Sequence, residues 1–204
     1  MMIEVLPVGP IGTNCYLVSD GAVCAIIDPG EEPEKLAHFL RKKGWEPGAI
    51  LLTHSHYDHT GGVDGLRERF PGLPVYRNSR DAYEGDRYLT QLYPPLENTL
   101  EAEEGDEIQV GELHFQVLAT PGHTRGGLSF LCGDALFCGD SLFAGSCGRT
   151  DLPGGNVGEM MASLRRLAAL PGNLRVYPGH MKASELDRER EYNPYIHQAM
   201  EEAR

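Results

Sequence analysis

The stretch Ala49-Ile50-Leu51-Leu52-Thr53-His54-Ser55-His56-Tyr57-Asp58-His59 decides how the rest of this chain reads. Its first four residues form a short, wholly apolar run, the pattern of a strand covered on both faces. Three histidines and an aspartate follow it within six residues. His54 and His56 lie two apart, so on an extended segment they project to the same side. If the chain then coils, Asp58 and His59 point to a second position a few ångströms away. Neutral imidazoles beside a carboxylate suit zinc or another first-row divalent cation. Solvated loop histidines would give no reason for so dense a polar cluster at the end of a buried strand, so metal binding is the expectation.

Three later segments share one style, an apolar run ending in a Gly-flanked His or Asp. They are Ala119-Thr120-Pro121-Gly122-His123-Thr124, Leu136-Phe137-Cys138-Gly139-Asp140-Ser141 and Val176-Tyr177-Pro178-Gly179-His180. Glycine before the polar residue lets the backbone turn sharply and approach a cation closely. Singly, each is as well read as a turn or cap; beside the first cluster they support one another. The expected site therefore comprises His54, His56, Asp58, His59, His123, Asp140 and His180 around two divalent metal ions, zinc first, with iron or manganese as alternatives.

Around these segments, short β-rich runs alternate with helices. Residues 2–8 read as a strand and 9–14 as a turn. Residues 15–19 and 22–27 read as a hairpin about Asp20-Gly21, a favoured two-residue turn pair. A helix over 32–43 carries Leu36, Phe39 and Leu40 on its apolar stripe and stops at Gly44. Residues 62–70 read as helix and 73–76 as strand, whereas 83–105 reads as a surface loop with a short helix. Strands return at 106–110, 112–119, 127–131 and 135–138. A helix at 158–169 turns Leu164, Leu167 and Ala168 inward, a strand follows at 174–177, and a polar helical tail closes the chain. Two successive halves, each ending in helix, suggest a layered α/β arrangement with sheets inside and helices outside.

The 204 residues suit one domain, and 41% apolar with 24% charged residues is ordinary for a packed core. A formal net charge of −12 argues against nucleic acid as a partner. No apolar run approaches the roughly 18–20 residues of a membrane span. The segment Met1-Met2-Ile3-Glu4-Val5-Leu6-Pro7 lacks the basic start and apolar core of a signal peptide. Five scattered cysteines without CxxC spacing read as reduced, mostly buried thiols. A cytoplasmic location is the expectation.

The order HxHxDH, TPGHT, GD and PGH resembles the metallo-β-lactamase superfamily over nearly the whole chain. That resemblance implies an αββα sandwich, two mixed sheets inside and helices on both outer faces, with the site at one edge of the sheets. It implies that His54, His56 and His123 hold one metal, that Asp58, His59 and His180 hold the other, and that Asp140 bridges them. Asp28, in Ile27-Asp28-Pro29-Gly30, matches an early aspartate that supports the metal loop. The segment Gly145-Ser146-Cys147-Gly148-Arg149-Thr150-Asp151-Leu152-Pro153-Gly154-Gly155 is similar to short bacterial relatives of glyoxalase II, hydroxyacylglutathione hydrolase. Arg149, nine residues after Asp140, stands where that family has a basic residue contacting glutathione. Residues 1–204 are read as one domain lacking the C-terminal helical domain of glyoxalase II, which puts glutathione specificity in doubt. Tail residues Glu191-Tyr192-Asn193-Pro194 also resemble the short relatives. His38, His114 and His197 are left as ordinary residues.

The resemblance implies a thioesterase that acts on a small-molecule substrate with a metal-activated hydroxide. Asp58, at once ligand and carboxylate, is the group expected to handle the nucleophile's proton. The nearest rival is an iron-dependent glutathione persulfide dioxygenase, which shares the HxHxDH run and a similar GRTD segment and would use His54, His123 and Asp140. Lactone opening suits the same site. A β-lactamase fits less well, since many carry Cys where Asp140 stands; a nuclease and a purely structural metal staple fit least.

Overall fold

Strands built wholly of apolar residues must be covered on both faces, and the arrangement of this chain covers them. The computed structural model describes residues 1–83 and 87–202. One mixed sheet has strands in chain order: β1 (Met2–Val8), β2 (Thr13–Ser19), β3 (Val23–Ile27), β4 (Glu46–Leu51), β5 (Val75–Arg77) and β6 (Leu100–Glu101). Its first three strands pair antiparallel; β3 through β6 pair parallel. The second sheet contains β7 (Glu107–Val110), β8 (Leu113–Ala119), β9 (Leu128–Cys132) and β10 (Ala135–Gly139). A two-stranded ribbon, β11 (Leu142–Phe143) and β12 (Ser146–Cys147), then leaves the sheet. The chain returns as β13 (Arg175–Pro178), parallel to β10, and ends the sheet with β14 (Ser184–Glu185), giving the order β14-β13-β10-β9-β8-β7.

Three apolar clusters separate four layers. Between the sheets, Val18, Ala25, Ile27 and Leu51 meet Phe115, Val117, Phe130 and Phe137. On the far face of the first sheet, Leu17, Cys24, Ile26 and Ile50 pack on helices α1 (Pro33–Lys43) and α3 (Val63–Arg69). Between these helices lies the single turn α2 (Tyr57–Thr60), and α4 (Arg87–Leu92) comes later. Beyond the second sheet, Leu118, Leu136 and Val176 pack on α5 (Val157–Ala168), α6 (Leu186–Tyr192) and α7 (Pro194–Glu201). Because successive strand residues face opposite sides, Cys24 and Ile26 reach the helices while Ala25 and Ile27 reach the other sheet. The expected αββα sandwich is the fold observed.

Three sequence expectations change. The β2–β3 connection pairs Ser19 with Cys24, so the loop is longer than a two-residue turn. The Asp20 carboxylate accepts from the amides of Ala22 and Val23 there, and from Glu112 in the second sheet. The tail is not merely polar: Leu186, Ile196 and Ala199 are buried against α5, completing the outer layer. The loop and short helix expected across 83–105 resolve into α4 and β6, with 84–86 lying outside the described residues. Among the described residues no helix is long and apolar enough to cross a membrane.

Strand direction positions the site. β3, β4, β8, β10 and β13 all end at the same edge of the sandwich, and their C-terminal ends deliver Asp28, His54, His123, Asp140 and His180. Ligands bind outside the carboxyl ends of strands in open α/β sheets for the same geometric reason.

Candidate metal centre

After β4, Thr53 is held twice by Asp28, which accepts from its amide at 2.8 Å and its hydroxyl at 2.6 Å. The Thr53 carbonyl accepts from the Leu128 amide of the opposite sheet at 2.7 Å. This anchorage fixes the backbone that leads into His54 and Ser55. His56 is extended, at φ −63° and ψ 147°, before α2 coils. His54 and His56 therefore project together, and the turn of α2 swings Asp58 and His59 to a neighbouring position. Gly139 takes φ +48°, in the left-handed region that favours glycine, as β10 turns out toward Asp140. At Gly179 a Cβ would strike the Asp140 carboxylate and sit 2.6 Å from His59 Cε1, so only glycine lets the β13 end come this near.

All seven residues nominated from the sequence meet here, as three overlapping groups: His54, His56 and His123; His54, His59 and Asp140; Asp58, His59 and His180. His56 Nδ1 lies 3.0 Å from both His54 Nε2 and His123 Nε2. His59 Nε2 lies 3.3 Å from Asp58 Oδ2 and 3.6 Å from Asp140 Oδ1. His180 Nε2 lies 3.2 Å from Asp58 Oδ2. Asp140 Oδ2 faces both sides, 3.5 Å from His123 Nε2 and 3.6 Å from His180 Nε2.

Hydrogen-bond partners assign the tautomers, and the assignment asks for cations. His123 Nδ1 lies 2.7 Å from the Arg149 carbonyl, so it donates and leaves Nε2 a lone pair. His59 Nδ1 likewise donates to Asp28 at 2.9 Å. Thr53 gives its proton to Asp28, so its oxygen accepts from His54 Nδ1 at 3.1 Å. The Nε2 lone pairs of His54 and His123 therefore both aim at His56 Nδ1, which can satisfy at most one of them with a proton. His59 Nε2 faces carboxylate oxygens, and it and Asp140 Oδ1 are buried without hydrogen-bond partners. Leaving such groups unpaired is costly. A tetrahedral cation with bonds near 2.0–2.1 Å spaces its ligand nitrogens about 3.3 Å apart, close to the spacing here.

Electrostatics point the same way. Burial, then the neighbouring imidazoles, press His54 well below the ordinary histidine range and His56 to about 2, keeping both neutral. Burial also opposes charge on His59, yet the carboxylates of Asp28, Asp140 and Asp58 outweigh it and lift that imidazole to about 9. Burial would raise Asp58, but the hydrogen bond from His180 and the charge of His59 hold it below the usual carboxylate range. Neutral nitrogens on one side and a field favouring positive charge on the other form a donor set for two cations.

Supporting contacts reach further than the motifs. Thr13 Oγ1 donates to Asp58 Oδ2 at 2.9 Å. Asn14 Nδ2 donates to the carbonyls of Pro178 at 3.0 Å and Met181 at 2.8 Å, holding the turn around His180. Asp81 is a residue that sequence reasoning missed. Its buried carboxylate accepts from the Ser55 amide at 3.2 Å, the Thr124 hydroxyl at 2.9 Å and the Gly126 amide at 2.6 Å. One side chain thus ties the His54–His56 segment to the turn bearing His123, and no motif around Asp81 announces it.

Arg149 stands beside the centre through its backbone, which fixes His123; its guanidinium makes two hydrogen bonds of 2.7 Å to Asp151 and is largely exposed. His38, His114 and His197 lie away from the centre on exposed faces. The five cysteines are free thiols, four of them buried, and burial pushes Cys138 up to about 12.

Comparison with known proteins agrees with this architecture. The family model described as "Metallo-beta-lactamase superfamily" matches residues 8–180. The chain is 36% identical to a "Probable metallo-hydrolase YqgX" of Bacillus subtilis, covering 94% of this chain and 95% of that one. It is 37% identical to a "Hydroxyacylglutathione hydrolase" of Enterobacter sp., over 91% of this chain but 71% of the relative. Similar solved structures include TTHA1623 in a di-iron-bound form, with TM-score 0.82, 41% identity and coverage of 94% and 99%. The BLEG-1 B3 metallo-beta-lactamase superposes with TM-score 0.84 at 35% identity, covering 96% and 99%. ETHE1 from Myxococcus xanthus does so with TM-score 0.79 at 32% identity, covering 98% and 90%. With its model matched from Val8 to His180, and its own four layers closing over one edge of polar side chains, this chain belongs to the metallo-beta-lactamase superfamily.

Proposed function

We propose that the protein is a metal-dependent thioester hydrolase of the glyoxalase II type, a single domain over 1–204 acting on a small molecule in the cytoplasm. The observation that carries this is the facing of His59 Nε2 onto Asp58 and Asp140 beside the His54, His56 and His123 trio, a donor set for two cations. His54, His56 and His123 would hold one and Asp58, His59 and His180 the other, with Asp140 between; zinc suits the nitrogen-rich set. When bound, such a pair lowers the pKa of water from 15.7 to about 7 in the zinc case and polarises a carbonyl. Asp58 then takes the nucleophile's proton. Its side chain is 12% exposed, and Thr13 and His180 hold its orientation. A thiolate leaves readily, because a thiol pKa of about 8.5 lies far below that of an alcohol, so the residues around the centre need supply no strong acid. Asp28 keeps the His59 ring turned toward the site. Arg149 offers a bidentate grip on a substrate carboxylate in exchange for Asp151.

A second reading, an iron-dependent glutathione persulfide dioxygenase holding one iron with His54, His123 and Asp140, shares its metal with the 41% identical structure, which binds two irons. Metal analysis combined with a substrate panel separates the two. The panel contains S-lactoylglutathione, simple thioesters, a lactone, nitrocefin and glutathione persulfide with oxygen monitoring. Thioester hydrolysis that a chelator abolishes and a divalent cation restores is the expected result. Full metal occupancy with no thioester turnover would overturn the proposal, and oxygen uptake with persulfide would install its rival.

A further inference from the structure

Among the described residues, one cavity is lined by Asp58 of the candidate metal centre and a larger one by Arg149, whose carbonyl holds His123. The smaller, of about 220 Å³, is walled by Val8, Ile11, Tyr57 and Pro94, with Asp58 and Glu31 as its charged lining. The larger, of about 420 Å³, is lined by Cys147, Arg149, Tyr195 and Gln198 among others, on the side of the loop whose Arg149 carbonyl holds His123. The smaller is lined in part by Asp58, one of the seven residues of the candidate site, and so reaches the edge of that site. At its wall stand two large apolar side chains that the fold leaves uncovered, Ile11 at 54% exposure and Tyr57 at 46%. Neither is needed for the core, which sits beneath them; a groove with such walls gains by covering them with an apolar ligand group.

Resting on the thioesterase reading, we propose that this pocket seats the acyl group of the substrate, and that the acyl group is short, apolar and uncharged. Three observations set that class. Sites for drug-sized ligands run to roughly 300–1,000 Å³, so a cavity of about 220 Å³ holds a small group. Apart from Asp58, a candidate metal ligand, its one charged lining residue is the carboxylate Glu31, which disfavours an anionic acyl chain. A thioester has two arms, and the larger cavity, with the guanidinium of Arg149, takes the bulkier polar carrier thiol.

The test measures kcat/KM of the metal-loaded protein for acetyl, butyryl and succinyl thioesters of one neutral thiol, N-acetylcysteamine. Butyryl is expected to exceed acetyl by at least about 10-fold, since each methylene in an apolar pocket is worth roughly 10-fold or more in discrimination, and to exceed succinyl, whose terminal carboxylate would face Glu31. Tyr57→Ser and Ile11→Ser should each lower the butyryl-to-acetyl ratio by about 3- to 10-fold; both positions are exposed, so neither change threatens the core. Glu31→Lys should move the succinyl-to-butyryl ratio upward. Equal rates for butyryl and succinyl, or ratios unmoved by all three variants while thioesters are still hydrolysed, would overturn the acyl pocket and leave the thioesterase standing. No turnover of any member of the series would remove the thioesterase reading and the pocket with it.

Discussion

The two halves of the metal centre are built on different plans. The first sheet supplies His54, His56, Asp58 and His59 from one segment of six residues, shaped by an extended run and a single helical turn. The second sheet supplies His123, Asp140 and His180 one at a time, from the ends of three strands. The first half is local and rigid by short-range geometry; the second exists only when β8, β10 and β13 are in register. Cations held between them would join the two sheets across the edge of the sandwich. With cations bound, stability and chemistry would be coupled at this edge, and the coupling could be broken at graded depth.

Chelation should have the largest effect. Turnover should fall to background, and the thermal midpoint should drop by about 8–16 °C, from about 4 kcal/mol of linkage at a 1,000-fold excess over Kd and about 2–4 °C per kcal/mol in a chain of this size. Calorimetry showing no shift on metal removal would mean that the halves do not depend on one another through the centre. Next in size, Asp58→Ala with metal restored should lower kcat by about 10²- to 10⁴-fold. Turnover near wild type at full occupancy would take Asp58 out of the proton-handling role.

Legibility followed the same division. The 54–59 cluster was open to reading because its meaning lies in spacing along the chain. His123, Asp140 and His180 were readable only through a shared style, apolar strand then Gly then ligand, which works because close approach excludes a Cβ at Gly179. Asp81 was not readable, since its acceptor role depends on an amide 26 residues away and a hydroxyl 43 away. Nor was the ribbon of β11 and β12, two residues per strand and too short for any periodicity. The buried side of the tail was missed because charged residues dominate α6, while Glu189 and Asn193 nonetheless hide inside. The Asn193 amide donates to the carbonyls of Phe143 and Ser146 and so fastens the tail to the ribbon.

Asp81 offers a finer break between the halves. Asp81→Ala strands two buried amides and a hydroxyl, so destabilisation of about 3 kcal/mol is expected. Metal affinity should weaken by about 10- to 100-fold, as for other groups that orient ligands. Competition with a chromophoric chelator reads the second quantity, and unchanged affinity would show that the halves need no tie. Thr124→Val, which removes one of the three donors, should cost about 1 kcal/mol in urea unfolding. Smallest of all, His114→Gln, on an exposed strand face with Glu107 as partner, should stay within about 0.5 kcal/mol of wild type. A larger loss there would place weight on the second sheet outside its three strand ends.

Because every contributing strand points its carboxyl end at one rim, the opposite rim is left with joinery alone. There the 20–23 loop, the turn at Gly111-Glu112 and the turn at Gly133-Asp134 connect neighbouring strands, with Asp20 bonded across to the amide of Glu112. Sequence inserted before Gly133, clear of the Asp134 carbonyl and carboxylate that hold Arg175, should lengthen a surface loop on the rim away from the candidate site. A reporter, tether or docking tag spliced in at that turn would ride on the molecule while the chemistry proceeds a full strand length away.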